Sequence, residues 1–128
     1  MELENVESTF KLSPIQTAIL SHLESEQETA PPISWRVQEV CGALDEARLA
    51  RAYQNLVDTV PACRTLVVWQ NMATPLQILC RKVPAKLATE DWSHLSAERS
   101  ERLLEGRLTA LPTAALNPAQ PPLVRLIW

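Results

Sequence analysis

The sequence is poor in the residues on which many catalytic and binding motifs depend. Its only glycines are Gly42 and Gly106, so it cannot form a glycine-rich loop that cradles phosphates or a dinucleotide. Its only histidines, His22 and His94, lie far apart and outside any nucleophile or metal motif. Carboxylates are plentiful, but no pair is placed in an obvious cleft. Chemistry alone therefore identifies no catalytic, cofactor-binding or metal-ligating residue.

Cysteine is scarce and unpaired in the sequence. Cys41, Cys63 and Cys80 are odd in number, and no two of them form a CxxC pair, which argues against a disulfide framework and against a zinc site. The favoured interpretation is buried, reduced thiols in a cytoplasmic protein. Arg64 beside Cys63 raises the alternative of an activated thiol, but a packed cysteine at a strand start is the more common arrangement.

Long apolar runs and basic clusters are also missing. No apolar run approaches the roughly 20 residues that cross a bilayer, and the acidic N-terminus lacks the features of a signal peptide. The net charge of -3 and the scattered lysines and arginines argue against nucleic-acid binding. What is present is the length of one domain, 128 residues, with 46% of them apolar, which is enough for an independent core.

Residues 42–65 form the stretch around which the rest is organised. Asp45 can cap a helix, Leu44 and Leu49 are spaced as a hydrophobic staple, and Pro61 ends the helix. The apolar positions advance by three and four residues, which predicts one inner face. That face comprises Leu49, Ala52, Tyr53, Leu56, Val57 and Val60.

The first part of the chain divides into a lead-in and a helix. Residues 1–11 are interpreted as a polar lead-in, and residues 12–128 as a partial domain. Ser13, Pro14 and Gln16 give a helix start with a capping box. The acidic run at 24–28 is interpreted as a solvated surface. The predicted inner face of the helix comprises Ile15, Ala18, Ile19 and Leu23.

Further elements follow from the pattern of apolar residues. Alternation predicts a half-buried strand over 33–38, and two apolar runs at 66–69 and 76–83 predict a hairpin. Ser96 can cap a third helix to about 111, with Leu104, Leu108 and Leu111 facing inward. A proline-rich loop at 112–122 leads to a buried strand at 123–128. The order predicts an α+β fold whose mixed, mainly antiparallel sheet carries helices on one face.

Five short motifs, in order, resemble the N-terminal part of condensation domains from nonribosomal peptide synthetases. They lie at 12–16, 42–45, 56–65, 91–93 and 122–125, and so span nearly the whole chain. The residues that carry the resemblance are Ser13, Pro14, Gln16, Gly42, Leu44, Asp45, Arg64, Thr65, Asp91, Ser93, Pro122, Leu123 and Arg125. The implied fold is half of the N-terminal lobe of a chloramphenicol-acetyltransferase-like domain.

The resemblance also implies a chemistry. Such domains join an acyl or peptidyl thioester on one carrier protein to the amine of the next, so phosphopantetheine arms on carriers are implied, with no cofactor bound directly. The family's attacking amine is handled by a third motif, HHxxxDG, which this sequence lacks. The arginine matching Arg64 pairs with that motif's aspartate, so Arg64 carries over as structural and no residue carries over as catalytic.

Departures from the family pattern leave three hypotheses. Thr59-Val60-Pro61, Cys63 and Ala115-Leu116-Asn117 stand where the family usually has other residues, and the sequence stops within an apolar run, as if cut in the middle of a fold. The first hypothesis is a truncated, non-catalytic segment that packs against adenylation, carrier or other condensation portions. The second is half of an acyltransferase completed by another chain, with self-association through the last strand as a further possibility. The third is an unrelated α+β binding domain.

Overall fold

A computed structural model describes residues 3–24, 34, 36–110 and 117–128 of the chain. A 3-10 turn at Leu3–Asn5 leads into strand β1, Val6–Lys11, and then helix α1, Pro14–Glu24. Helix α2, Glu46–Thr59, runs into a 3-10 helix at Pro61–Arg64 and strand β2, Thr65–Val68. Strand β3, Leu76–Cys80, and helix α3, Ala97–Ala110, complete the elements. The α+β class is confirmed.

The described residues form a sheet of three strands in the order β1-β3-β2, and both pairings are antiparallel. β2 and β3 form the predicted hairpin, with Asn71 at the turn in the left-handed region (φ 59) that asparagine tolerates. The strand β1 was not predicted, because residues 1–11 have the polar composition of a lead-in. Its pairing with the central strand β3 supplies the backbone partners that stabilise it.

Helix α2 carries the main core of the described molecule. Tyr53 and Val57 are its buried residues, four positions apart, and they pack with Cys63, Leu66 and Cys80. The predicted face was broader than the observed one, because Ala52 and Leu56 are exposed. Pro61 ends the helix as predicted, since α2 stops at Thr59 with Val60 as its C-cap.

Helix α1 begins as predicted but faces the sheet with other residues. The Gln16 side chain accepts a hydrogen bond from the Ser13 amide (2.8 Å), and the Gln16 amide donates to the Ser13 hydroxyl (3.3 Å). The predicted inner face is wrong at Ile15, which is 70% exposed, whereas Leu20 is 5% exposed. The structure adds that Gln16 also bonds Gln77, which alternation places on the opposite sheet face from Ile78 of the α2 core. α1 therefore contacts the sheet on the face away from α2.

Two predicted strands differ in the structure. Residues 34 and 36–41 are described without a strand and are exposed, while positions 33 and 35 lie outside the described residues. No described strand pairs with this segment, and a single strand has no ladder to stabilise it. The predicted strand at 123–128 is reduced to one parallel bridge between Ala88 and Ile127, and Ile127 is exposed rather than buried.

Helix α3 forms where the sequence predicts it. Ser96 caps it through a 3.4 Å bond from the Arg99 amide, and Glu98 pairs with Arg102 across one turn. Leu104 and Leu108 are only half-buried, and Leu111 lies outside the described residues. None of the helices in the described ranges is both long and apolar enough to cross a membrane.

Candidate functional site

Arg64 is the one charged side chain that is buried among the described residues. It ends the 3-10 helix beneath β3. Its Nη1 donates to Glu7 Oε2 at 2.8 Å, to the Cys80 carbonyl, and to the Arg81 carbonyl at 3.3 Å. A buried guanidinium needs such partners, because removing its charge from water without them costs several kcal/mol, on the order estimated for buried ions. Its Nε is buried and has no acceptor within the described part of the chain.

Most other residues of the five motifs cap or shape backbone rather than line a cavity. Asp45 accepts the Arg48 amide at 3.0 Å and starts α2, as Ser13 and Gln16 start α1. The Thr65 hydroxyl donates to the Pro61 carbonyl at 3.0 Å and closes the turn before β2. These contacts satisfy free backbone groups at helix ends. They explain a motif by local geometry, with no ligand required.

Glycine is required at position 42 by the backbone conformation and not by a lack of space for a side chain. Its φ is +103°, in the left-handed region that a side chain rarely adopts, whereas a Cβ there would meet nothing within 4 Å. The turn directs the chain towards Leu44, which is half-buried, and on to the Asp45 cap.

Asp91 and Ser93 form a local turn ahead of α3. The Asp91 carboxylate accepts the Ser93 amide at 2.9 Å. Hydrogen bonds from the Ser93 hydroxyl and amide lower the pKa of Asp91, because they favour the charged carboxylate. The pair stabilises the chain direction before the Ser96 cap.

An apolar groove of about 610 Å³ lies between residues 36–49, α3 and the end of the chain. We call it the α3 groove. Arg107 at its edge is paired with Glu90, whereas no ion pair of Arg36 or Arg125 is found within the described ranges. Leu44 and Arg125 are the two motif residues that the structure brings together here. The lining residues are Arg36, Val37, Gln38, Val40, Leu44, Leu49, Glu90, Trp92, Leu104, Arg107, Leu108, Arg125, Leu126, Ile127 and Trp128.

The remaining motif residues, Pro122 and Leu123, do not belong to the lining of the groove. Both are half-buried in the segment before the Ala88 bridge. The backbone carbonyl of the next residue, Val124, accepts the hydroxyl hydrogen of Tyr53. This contact fixes the 122–125 segment against α2.

The three thiols are free in the structure, but they are not all buried as predicted. Cys63 and Cys80 lie in the core, while Cys41 is exposed in the segment that lacks the predicted strand. Burial raises the pKa of the Cys80 thiol, and the Arg64 charge partly opposes this. Within the described part of the chain, no three His, Cys, Asp or Glu residues are grouped to hold a metal ion.

Two polar residues with structural contacts escaped the sequence reasoning. Glu7 was assigned to the lead-in, yet it pairs with Arg64 across 57 positions. Gln54 lies outside the predicted inner face of α2, yet it bonds the backbone on both sides of Pro84. Neither has a local sequence signal, because its partner is distant in the chain.

Within the described residues, these contacts define an α+β scaffold with a buried arginine and an apolar groove, and comparisons with known proteins agree with the α+β class. The family model described as "Condensation domain" matches residues 6–126. One of the linear gramicidin synthase proteins of Brevibacillus parabrevis is 30% identical over 122 residues, 95% of this chain. Malpibaldin synthetase of Mortierella alpina is 34% identical over 82 residues, 61% of this chain, and these matches cover 2% and 1% of the two proteins.

The chain belongs to the condensation domain family of nonribosomal peptide synthetases. It spans about 2% of the length of the linear gramicidin synthase proteins that it matches. The hypothesis of an unrelated α+β binding domain is therefore wrong.

Proposed function

We propose that this chain is a structural and interaction segment of a condensation domain and performs no amide formation by itself. The observation that carries the proposal is that its motif residues serve as caps, as turns and, at Arg64, as the buried partner of an ion pair. The sequence has no adjacent histidines that could deprotonate an amine, since His22 and His94 stand alone. Its contribution would be to hold Arg64 and the sheet beneath a site formed with other residues.

The expected partners are other portions of a peptide synthetase. Relatives named as synthases and synthetases support a setting with adenylation and carrier domains. Phosphopantetheine would enter only on those carriers, with no cofactor held by this chain. A cytoplasmic location is part of the proposal, since free thiols suit a reducing compartment.

The test is an amide-forming assay with the isolated chain. One carrier protein is loaded with an acyl thioester and a second with an aminoacyl thioester, and the joined product is measured by mass spectrometry. We expect product formation no faster than in a mixture of the two carriers alone. Turnover that depends on the chain would overturn the proposal.

A second candidate is one half of a condensation-type acyltransferase that another polypeptide completes. The α3 groove favours it, because Val37, Val40 and Ile127 are large apolar side chains left exposed along its lining. The test is co-expression with a polypeptide that carries the HHxxxDG portion of a condensation domain. We expect a stable complex with amide-forming activity. If neither a complex nor activity is found, this second candidate is excluded.

A further inference from the structure

Glu7 occupies an irregular position in β1. The pairing of β1 with β3 is regular from Ser8 to Lys11 but shifts between Val6 and Ser8. Such a bulge leaves its residue outside the ladder and turns the side chain in a new direction. Glu7 is the residue in that position, and its carboxylate reaches Arg64 Nη1 at 2.8 Å.

The Arg64 guanidinium is held from one side only. Within the described molecule, the guanidinium makes three hydrogen bonds, and Nη1 is the donor in each of them. The acceptors are Glu7 and the carbonyls of Cys80 and Arg81. The two carbonyls belong to the end of β3 and the residue after it, so they fix where the Nη1 corner lies. Glu7 supplies the charge that balances the buried cation.

The other edge of the same group is buried without a partner. Among the described residues Arg64 Nε has no acceptor, although the Arg64 side chain is only 9% exposed. A buried donor left unpaired is costly, and buried polar groups in folded proteins are nearly always satisfied. A planar guanidinium fixed at Nη1 has its Nε direction fixed as well, so the free edge points to one place.

We propose that Glu7 is a positioning residue, which the bulge in β1 turns onto Arg64 so that the Nε edge is offered to an oxygen acceptor. The resemblance to the family already implies such an acceptor, the aspartate of the HHxxxDG motif, so the new element is the role of Glu7, and it rests on the proposed function. A simple structural ion pair would need only charge balance. A positioning role requires that Glu7 also determine the orientation of Arg64.

Nuclear magnetic resonance of the 15N-labelled chain tests the orientation directly. Rotation of a held guanidinium is slow, so its Nη groups give separate signals and its Nε–H signal is distinct. Arg64→Lys identifies the signal by removing it. We expect Glu7→Gln, which keeps the shape but loses the charge, to merge the Arg64 Nη signals and shift the Nε signal.

The matched control is Glu98→Gln, which breaks the exposed pair with Arg102 and should leave the Arg64 signals unchanged. Unchanged Arg64 signals in a folded Glu7→Gln would overturn the proposal. If Glu7→Gln does not fold, Glu7→Asp keeps the charge but is one methylene shorter. We expect Glu7→Asp also to merge the Arg64 Nη signals. Separate Nη signals in that variant would equally overturn the proposal.

The completed acyltransferase gives an independent readout. There we expect Glu7→Gln to lower kcat by roughly 10- to 100-fold with KM for the carrier substrates unchanged, and Glu7→Asp, which also releases Arg64, to lower kcat in the same way, because small misplacements of a positioned group cost rate. An unaltered kcat would contradict the positioning role. If the unsubstituted chain yields no activity on completion, the two-part function fails, and the Arg64 signals alone decide the role of Glu7.

Discussion

At the scale of single residues, the core combines apolar packing with groups that can ionise. Val57 and Cys80 are the largest fully buried side chains in the described molecule, and Tyr53 lies beside them with its hydroxyl on the Val124 carbonyl. Burial raises the pKa of the Cys80 thiol above its ordinary 9.0 and that of the Tyr53 phenol above its ordinary 10.0. The nearby Cys63 adds to the shift at Tyr53.

These two shifts predict a loss of stability in alkali. Both groups keep their proton longer in the folded chain than in the unfolded chain, so their contribution is complete below pH 9.0 and is lost as the pH rises through the folded-state pKa values. We expect the urea midpoint, measured with a reductant from neutral pH to above 10.0, to fall from about pH 9.0 upward.

Two variants separate the contributions to this alkaline decline. Cys80→Ala should make the decline start later, and Tyr53→Phe should make its upper part shallower, because each removes one of the ionising groups. Midpoints are compared within each variant, from its own value at neutral pH. A decline with the same slope in both variants as in the unsubstituted chain would contradict the assignment.

At the scale of elements, the ends of helices and the hairpin follow from neighbours in sequence. Ser13 with Gln16, Asp45, and Ser96 all cap the helices for which they were predicted, because a cap is a contact over three residues. Strand pairing involves distant partners, so the sequence does not predict β1, and the strand predicted over 33–38 is absent at the described positions 34 and 36–38. Alternating residues describe a strand only where a partner lies beside it.

The Asp45 cap predicts a specific cost for its removal. Asp45→Ala leaves the Arg48 amide without its acceptor and should lower the free energy of unfolding by about 1 kcal/mol. Asp45→Asn keeps an accepting oxygen and should stay close to the original. Urea denaturation followed by circular dichroism measures both. Equal losses in the two variants would mean that the cap is not the cause.

Gln54 joins α2 to the segment after β3. Its amide oxygen accepts the Ala85 amide at 2.8 Å, and its amide nitrogen donates to the Val83 carbonyl at 3.0 Å. Gln54→Ala removes both bonds from partly buried backbone groups, so we expect a loss of about 1–3 kcal/mol in the free energy of unfolding. Asn55→Ala, at an exposed neighbouring position, is the matched control and should change it by less than about 0.5 kcal/mol. Similar denaturation midpoints for both variants would refute the bridging role.

At the scale of the whole molecule, the α3 groove is an apolar surface that the described residues leave open. The resemblance to condensation domains identified Arg64 and Leu44 as structural residues, but the groove and the Glu7 contact were beyond sequence reasoning. Both arise where segments far apart in the chain meet. Local patterns predicted the three helices and the β2–β3 hairpin, but they could not predict which surfaces those elements leave exposed.

The α3 groove predicts that association between copies of the chain depends on Ile127 and not on Val124. Ile127 lines the groove and is 44% exposed, whereas Val124 is 43% exposed and lies outside the lining. If copies of the chain associate through the groove, Ile127→Lys should weaken the association and Val124→Lys should not, because only the first places a charge on the apolar lining. Sedimentation at increasing concentration measures it. Equal effects of the two lysines would exclude the groove as the contact.

The order of strands in the sheet has a consequence for how the chain folds. Its amino-terminal strand lies against the middle strand, and next to it the Asn5 side chain bonds the backbone of Lys82, 77 positions later. The ribosome makes the first strand long before its partner, whereas the hairpin can close as soon as it emerges. Residues 6–11 therefore remain without their strand partner until helix α2 and the hairpin have been synthesised. The Glu7–Arg64 contact joins strand β1 to the core. It can form only when β1 packs against the rest of the sheet.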